Sequence, residues 1–191
     1  NCCDCPLISC SGINECTKQI RMAMEESVPE KWFLVEGTLI SALRWGEHCH
    51  QFKSGKKNFV DGDIDVYVIA EPGGEADVVS AIGRVLQKDG WSVPKDRGDG
   101  IFVSQSQFEM PKESCTKDLG KQQRYKFYVD IHVMFQRKDG DFDVGDMGHL
   151  WKYFLKNNNV LPRHVIFPLV PCEWGGGNAY APADRKSGSA G

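Results

Sequence analysis

Two stretches of the chain alternate strictly between apolar and polar positions. In Asp63-Ile64-Asp65-Val66, running on to Ala70, Ile64, Val66 and Val68 share one side of an extended strand, and Asp63 and Asp65 the other. From Tyr125 to Phe135, Phe127, Val129, Ile131, Val133 and Phe135 line one face, and Tyr128, Asp130, His132 and Met134 the opposite one. A helical period replaces the alternation from Glu75 to Asp89. There Ala76, Val78, Val79, Ile82, Val85 and Leu86 form an apolar stripe, and Gly90 closes it. Thr17 to Ser27 is a second predicted helix, with Thr17 as N-cap and Val28-Pro29 as its stop. Trp32 to Val35 is a short apolar strand. Glu36-Gly37-Thr38 is a turn, and Thr38 caps a third helix from Leu39 to Trp45.

Weaker patterns fill the remainder. Gly46 to Val60 is polar and carries lysines, which predicts a loop, and Glu71-Pro72-Gly73-Gly74 is a turn. Trp91 to Val93 and Ile101 to Gln105 are expected to pair antiparallel, with Ser106 to Gly120 irregular. Asp139-Gly140 is a turn, Asp141 to Met147 a loop, and His149 to Lys156 a short helix. Beyond Asn157 to Asn159, recurring proline and glycine predict a loop-rich wrap over the core. The fold class expected is therefore α+β, a small mixed sheet flanked by helices with a loop-rich C-terminal wrap. Residues 1–16 form a Cys-rich lead, 17–184 one domain, and 185–191 a flexible tail.

Composition narrows the function classes. With 191 residues, 41% hydrophobic and 26% charged, the chain can bury a proper core. A net charge of -3 gives no basic footprint for a polynucleotide partner. No apolar run approaches the roughly 18 residues that mark a membrane-spanning helix. The chain begins at Asn1 rather than Met, as an excised or processed piece does. Of the 8 cysteines, Cys2, Cys3, Cys5, Cys10 and Cys16 cluster at the start. Disulfides in an oxidising compartment and a tetrahedral structural Zn²⁺ suit such a cluster equally, with free thiols a lesser third reading. No Asn-x-Ser/Thr site independently marks secretion, and the compartment stays open on the residues alone.

The candidate chemistry is acidic. Asp63 and Asp65 on one strand face repel each other unless a cation joins them, and Asp61 stands in the same run. Asp130 is a lone carboxylate in an apolar and aromatic strand, and a buried charge without a partner is costly. If the two strands are neighbours, about 4.8 Å apart, Asp130 completes a carboxylate nest for Mg²⁺ or Mn²⁺ facing a solvent cleft. Backbone N–H groups at the helix start near Gly37 and Thr38 suit a phosphate, and Arg44 adds a bidentate contact. Each motif alone has a plainer explanation. Asp61-Gly62-Asp63 is also turn chemistry, Gly37-Thr38 a common helix start, and Arg44 a partner for a surface glutamate. His48 and His50 around Cys49 suit a solvated loop better than a metal site. Lys53, Lys56 and Lys57 suit a solvated face better than a lid over phosphates. His132 shares the face of Asp130, either as a substrate contact or as a satisfied strand histidine. Trp174 suits packing under a loop better than a sugar site.

Taken together, these motifs resemble the polymerase-β-like nucleotidyltransferase fold, and more closely the LicD, fukutin and fukutin-related-protein family. Gly37-Thr38-Leu39-Ile40-Ser41-Ala42-Leu43-Arg44 stands where members read Gly-Thr/Ser-Leu-Leu-Gly-Ala-x-Arg. Asp61-Gly62-Asp63-Ile64-Asp65-Val66 is similar to their acidic run, with Gly62 where Asp is frequent. Glu36, Val129-Asp130-Ile131 and Ile166-Phe167-Pro168-Leu169 resemble further family segments, so the likeness spans about residues 30 to 184. It implies transfer of a phospho-alditol or phosphocholine group from a CDP-activated donor to a glycan hydroxyl. By that likeness Asp63, Asp65 and Asp130 are the catalytic metal-binding carboxylates, and Gly37, Thr38 and Arg44 hold phosphate. Asp130 or Asp61 takes the acceptor proton, with Asp130 preferred. A cysteine-bound zinc ahead of the glycine motif occurs in the family and favours zinc for the Cys2 to Cys16 cluster. The family also points to the secretory pathway, with the Golgi lumen as the expected compartment. Two rivals remain: an Asp-x-Asp glycosyltransferase using a nucleotide sugar, and a binding module that kept the fold without turnover.

Overall fold

The computed structural model describes residues 10–51, 57–59, 63–92, 105–109, 128–144 and 160–184. In chain order the elements are α1 (Cys10–Ser27), β1 (Trp32–Leu34), α2 (Glu36–Trp45), β2 (Cys49–Gln51), β3 (Lys57–Phe59), β4 (Ile64–Ala70), α3 (Glu75–Lys88) and β5 (Gln105–Glu109). They continue with β6 (Tyr128–Gln136), β7 (Phe142–Asp143), β8 (Val160–Leu161), α4 (Arg163–Ile166), β9 (Val170–Trp174) and β10 (Gly177–Ala181).

The main sheet is mixed and runs β1-β4-β6-β7-β8. β1 pairs antiparallel with β4, with Phe33 opposite Tyr67. β4 and β6 run parallel, which places Asp65 directly opposite Asp130. The far edge of β6 is shared end to end. β5 pairs antiparallel with Tyr128 to His132, and β7 with Phe135 and Gln136. β4 is therefore an interior strand, and every one of its residues is buried.

The period-two pattern sorts the core into two layers. Trp32, Leu34, Ile64, Val66, Val68, Val129, Ile131 and Val133 point to one face. There they meet Ile13, Cys16, Ile20 and Met24 of α1 and Val79, Ile82 and Leu86 of α3. Phe33, Tyr67, Ile69 and Met134 point to the other face and pack with Phe142, Val144, Leu161 and Ile166. Each fully buried side chain of this size contributes roughly 1.5–3 kcal/mol. The second layer is thus worth as much per residue as the first. It also closes a face that the alternation had led us to expect open.

Several local expectations need correction. α1 starts at Cys10, so 10–16 belong to a core helix rather than to a separate lead. Thr17 lies mid-helix and is not its cap. Its hydroxyl donates to Ile13 O at 2.9 Å, the back-bonding open to a threonine inside a helix. The segment 46–60 is not wholly loop, because β2 and β3 pair antiparallel within it. Asn14 on α1 brackets Cys49 there, donating to its carbonyl (3.1 Å) and accepting from its N–H (3.2 Å). His48, expected in a solvated loop, is buried. Ser106 to Glu109 belong to β5, which pairs with β6. Phe142 and Asp143 form β7. The expected strand residues 93 and 101–104 and the helix at 149–156 lie outside the described residues. The C-terminal wrap contains the β9–β10 hairpin, turned by Gly175 and Gly176 with φ of 60° and 71°. Two successive positive φ values are what a two-residue hairpin turn requires. The hairpin places Trp174 under the sheet, 6.5 Å from Trp32 between ring centroids. No described helix is long and apolar enough to cross a membrane.

Candidate metal centre

The site begins at the corner between β1 and α2. The strand ends at Leu34 and the helix starts at Glu36, leaving Val35 alone between them. The reversal forces Glu36 into the left-handed region at φ 51°, which costs a non-glycine residue about 1–3 kcal/mol. The helix has no side-chain cap, and Thr38, expected as its cap, is instead its third residue. Its hydroxyl has another use. Along a strand, one residue's N–H and C=O point to the same neighbour. For Asp65 that neighbour is β1, which is too short to reach its N–H. Val35 N–H donates to Asp65 O at 3.3 Å, and Thr38 Oγ1 accepts from Asp65 N–H at 2.9 Å. The Gly-Thr corner and the acidic strand are thereby fixed to one another.

On the second face of the sheet, Asp65, Asp130 and His132 converge. One ligand atom from each lies within 4.8 Å of the other two. Asp65 is 5% exposed, Asp130 8% and His132 2%. His132 Nε2 is 3.4 Å from Asp65 Oδ1, and no described group bonds its Nδ1. The ring is held by Tyr67, 5.1 Å away between centroids, and Tyr67 stacks in turn on Phe33 at 5.7 Å. Burial lowers the pKa of His132 below 6.5, against the raising fields of Asp130 and Glu36. The imidazole is therefore neutral near pH 7, the form a metal takes.

This arrangement corrects the expected site in three respects. The carboxylates lie in a buried pocket of side chains, not on an open polar cleft. Asp63 sits half-buried in the bend before β4 and is not part of the cluster. The third group is an imidazole. His132 was visible in the sequence as the residue two after Asp130 on the same strand face. Glu36, whose charge reaches His132, stood out in the sequence only through the family resemblance, as the residue before the glycine motif.

The other predicted residues are scattered. Gly37 and Thr38 are buried in the first turn of α2. Arg44 is exposed in the last turn, about 9 Å along the helix axis from Thr38. Asp61, Lys53 and Lys56 lie outside the described residues, as do Cys2, Cys3 and Cys5; Cys10 opens α1. Cys16 is buried in the core against α1's neighbours. Cys49 is disulfide-bonded.

The donor set fits a divalent cation. Two ligands bound at about 2.0–2.4 Å can stand no more than about 4.8 Å apart. Two buried carboxylates directly opposite one another also call for a positive charge between them. Asp65 and Asp130 would supply oxygen ligands and His132 a nitrogen. No protein-family model matches this chain, and no curated protein matches it.

Proposed function

We propose that this chain is a divalent-cation-dependent phosphotransferase of the LicD and fukutin kind, built on a nucleotidyltransferase-like core. It moves a phospho-alditol or phosphocholine group from a CDP-activated donor to a glycan hydroxyl. The observation that carries this reading is the pairing of Asp65 with Asp130 beside the Gly37-Thr38 corner. The meeting of these distant motifs supports the reading. The Cys49 disulfide favours an oxidising compartment, as the secretory lumen is.

A bound cation supplies charge neutralisation at the donor pyrophosphate. Gly37 and Thr38 precede the first helical bond of α2, Leu39 N–H to Val35 O, and turn the positive end of the helix towards phosphate oxygens. The acceptor hydroxyl attacks the phosphorus that bears the head group. The bond from that phosphorus to the bridging oxygen breaks, and CMP leaves. The hydroxyl proton passes to the Asp130 carboxylate. Asp63 is half-buried in the bend before β4.

The test is a thermal-shift panel of CDP-ribitol, CDP-glycerol, CDP-choline and UDP-sugars with Mg²⁺ or Mn²⁺, followed by assay for released CMP. A cation-dependent response to a CDP compound, absent in Asp65→Asn, is expected. A response to UDP-sugars alone would favour a glycosyltransferase. No response to any nucleotide would overturn the assignment.

A further inference from the structure

The third member of the cluster changes the kind of ion it suits. Mg²⁺ seeks oxygen ligands and near-octahedral geometry. Imidazole is a ligand for the borderline transition ions, and carboxylates also accept Mn²⁺. A buried Asp-Asp-His set is therefore a poor match for the all-oxygen ion expected from the acidic motif.

A second observation concerns the histidine itself. A neutral imidazole carries one proton, and its other nitrogen keeps a lone pair. That lone pair needs a donor or a cation. Nε2 faces Asp65, which when ionised can only accept, and Nδ1 has no hydrogen-bond partner among the described residues. On either tautomer, no described group donates to the lone pair. Leaving such an acceptor unanswered in a buried site costs about 1–3 kcal/mol. The ring cannot easily turn away, because Tyr67 lies against it and the side chain is 2% exposed. A ring nitrogen meanwhile stays within 4.8 Å of an oxygen from each aspartate.

We propose that His132 is a direct ligand of the cation, and that the site takes a first-row transition ion, Mn²⁺ among them, in preference to Mg²⁺. This rests on the cation-binding reading above and adds the identity of the third ligand and the class of ion. Asp65 and Asp130 supply charge, and His132 supplies selectivity. Among the described residues, the charged groups facing the imidazole are Asp65, Asp130 and Glu36, all favouring a cation.

Mn²⁺ is the probe, because it is paramagnetic. Electron spin-echo spectroscopy of the Mn²⁺-loaded natural chain is expected to show nitrogen modulation from a coordinated imidazole. Labelling histidine with ¹⁵N should change that modulation without altering the protein. His132→Gln should abolish it and weaken Mn²⁺ at least tenfold in calorimetry, while changing Mg²⁺ less than threefold. If the glutamine variant does not fold, the natural chain decides. Modulation that survives replacing the other four histidines one at a time supports the proposal. Mn²⁺ bound without nitrogen modulation overturns the role of His132 but leaves a carboxylate site standing. No Mn²⁺ or Mg²⁺ bound at all sinks the cation reading itself.

Discussion

Thr38 shows how much one hydroxyl can decide. It accepts the N–H of Asp65 across a gap that the three-residue strand β1 cannot bridge. Thr38→Val keeps the shape and removes the acceptor, so a buried N–H is orphaned. We expect a loss of about 1–3 kcal/mol in urea unfolding. Cation affinity should weaken with it, since Asp65 loses its anchor, and Thr38→Ser should restore both. Two glutamates with positive φ make a second residue-scale comparison. Glu30 is exposed at φ 58° and Glu36 half-buried at φ 51° beside the cluster. Asparagine tolerates this region better than glutamate. Glu30→Asn should therefore raise stability by about 0.5 kcal/mol with cation binding unchanged. Glu36→Asn should relieve similar strain and loosen the cation, measured by calorimetry. Equal effects of the two on binding would show that Glu36 takes no part in the site.

At the scale of elements, the β9–β10 hairpin is the clearest case. Its glycine run marked a loop-rich wrap in the sequence, yet the first two glycines of the run make a tight turn and the first is wedged against α1. A Cβ on Gly175 would lie 2.9 Å from Thr17 Cγ2 and 3.3 Å from α1 backbone, at φ 60°. A Cβ on Gly176 would meet nothing within 4 Å, at φ 71°. Gly175→Ala should thus destabilise by about 1–3 kcal/mol. Gly176→Asn should stay within about 0.5 kcal/mol of the natural chain, checked by thermal unfolding. Thr17, on the other side of that contact, is no helix start. α1 extends back to Cys10, so Thr17 is interior and spends its hydroxyl on Ile13 O. A threonine before an apolar period reads as a cap only when the preceding residues do not continue the helix. Here Ile13 and Cys16 continue the buried stripe.

For the whole molecule, the cluster couples cation binding to stability. Asp65 and Asp130 face each other in the interior across the β4–β6 register. Asp130→Asn should abolish the upward shift in unfolding temperature that added Mn²⁺ gives the natural protein. A ligand at a hundred times its Kd stabilises by about 2.7 kcal/mol, so that shift is measurable. His132 adds a pH dependence. Its folded pKa lies below 6.5 because burial outweighs the fields of Asp130 and Glu36. The unfolded chain takes up that proton first. Stability of the chelated protein is therefore full above pH 6.5 and falls as the pH drops from there towards the folded value. Urea midpoints between about pH 7.5 and 5.5 should show this slope, and His132→Gln should reduce it.

Side-chain alternation and helical period are local properties, and they determined β4, α3 and most of β6 from the sequence alone. They also placed Asp65, Asp130 and His132 on one side of their strands, because a strand's two faces are set by its own pleat. Which strands become neighbours is not local. Only the folded chain brought Asp65 opposite Asp130 in a parallel register, since the β4–β6 pairing depends on α3 and α1 covering one shared face. The closing of the carboxylate side was equally a tertiary outcome: Phe142, Val144, Leu161 and Ile166 arrive there from the far end of the chain. Asp65 and Asp130, expected at an open acidic cleft, are buried on that same side of the sheet. A charge left in such a site needs partners that the linear pattern of residues cannot name.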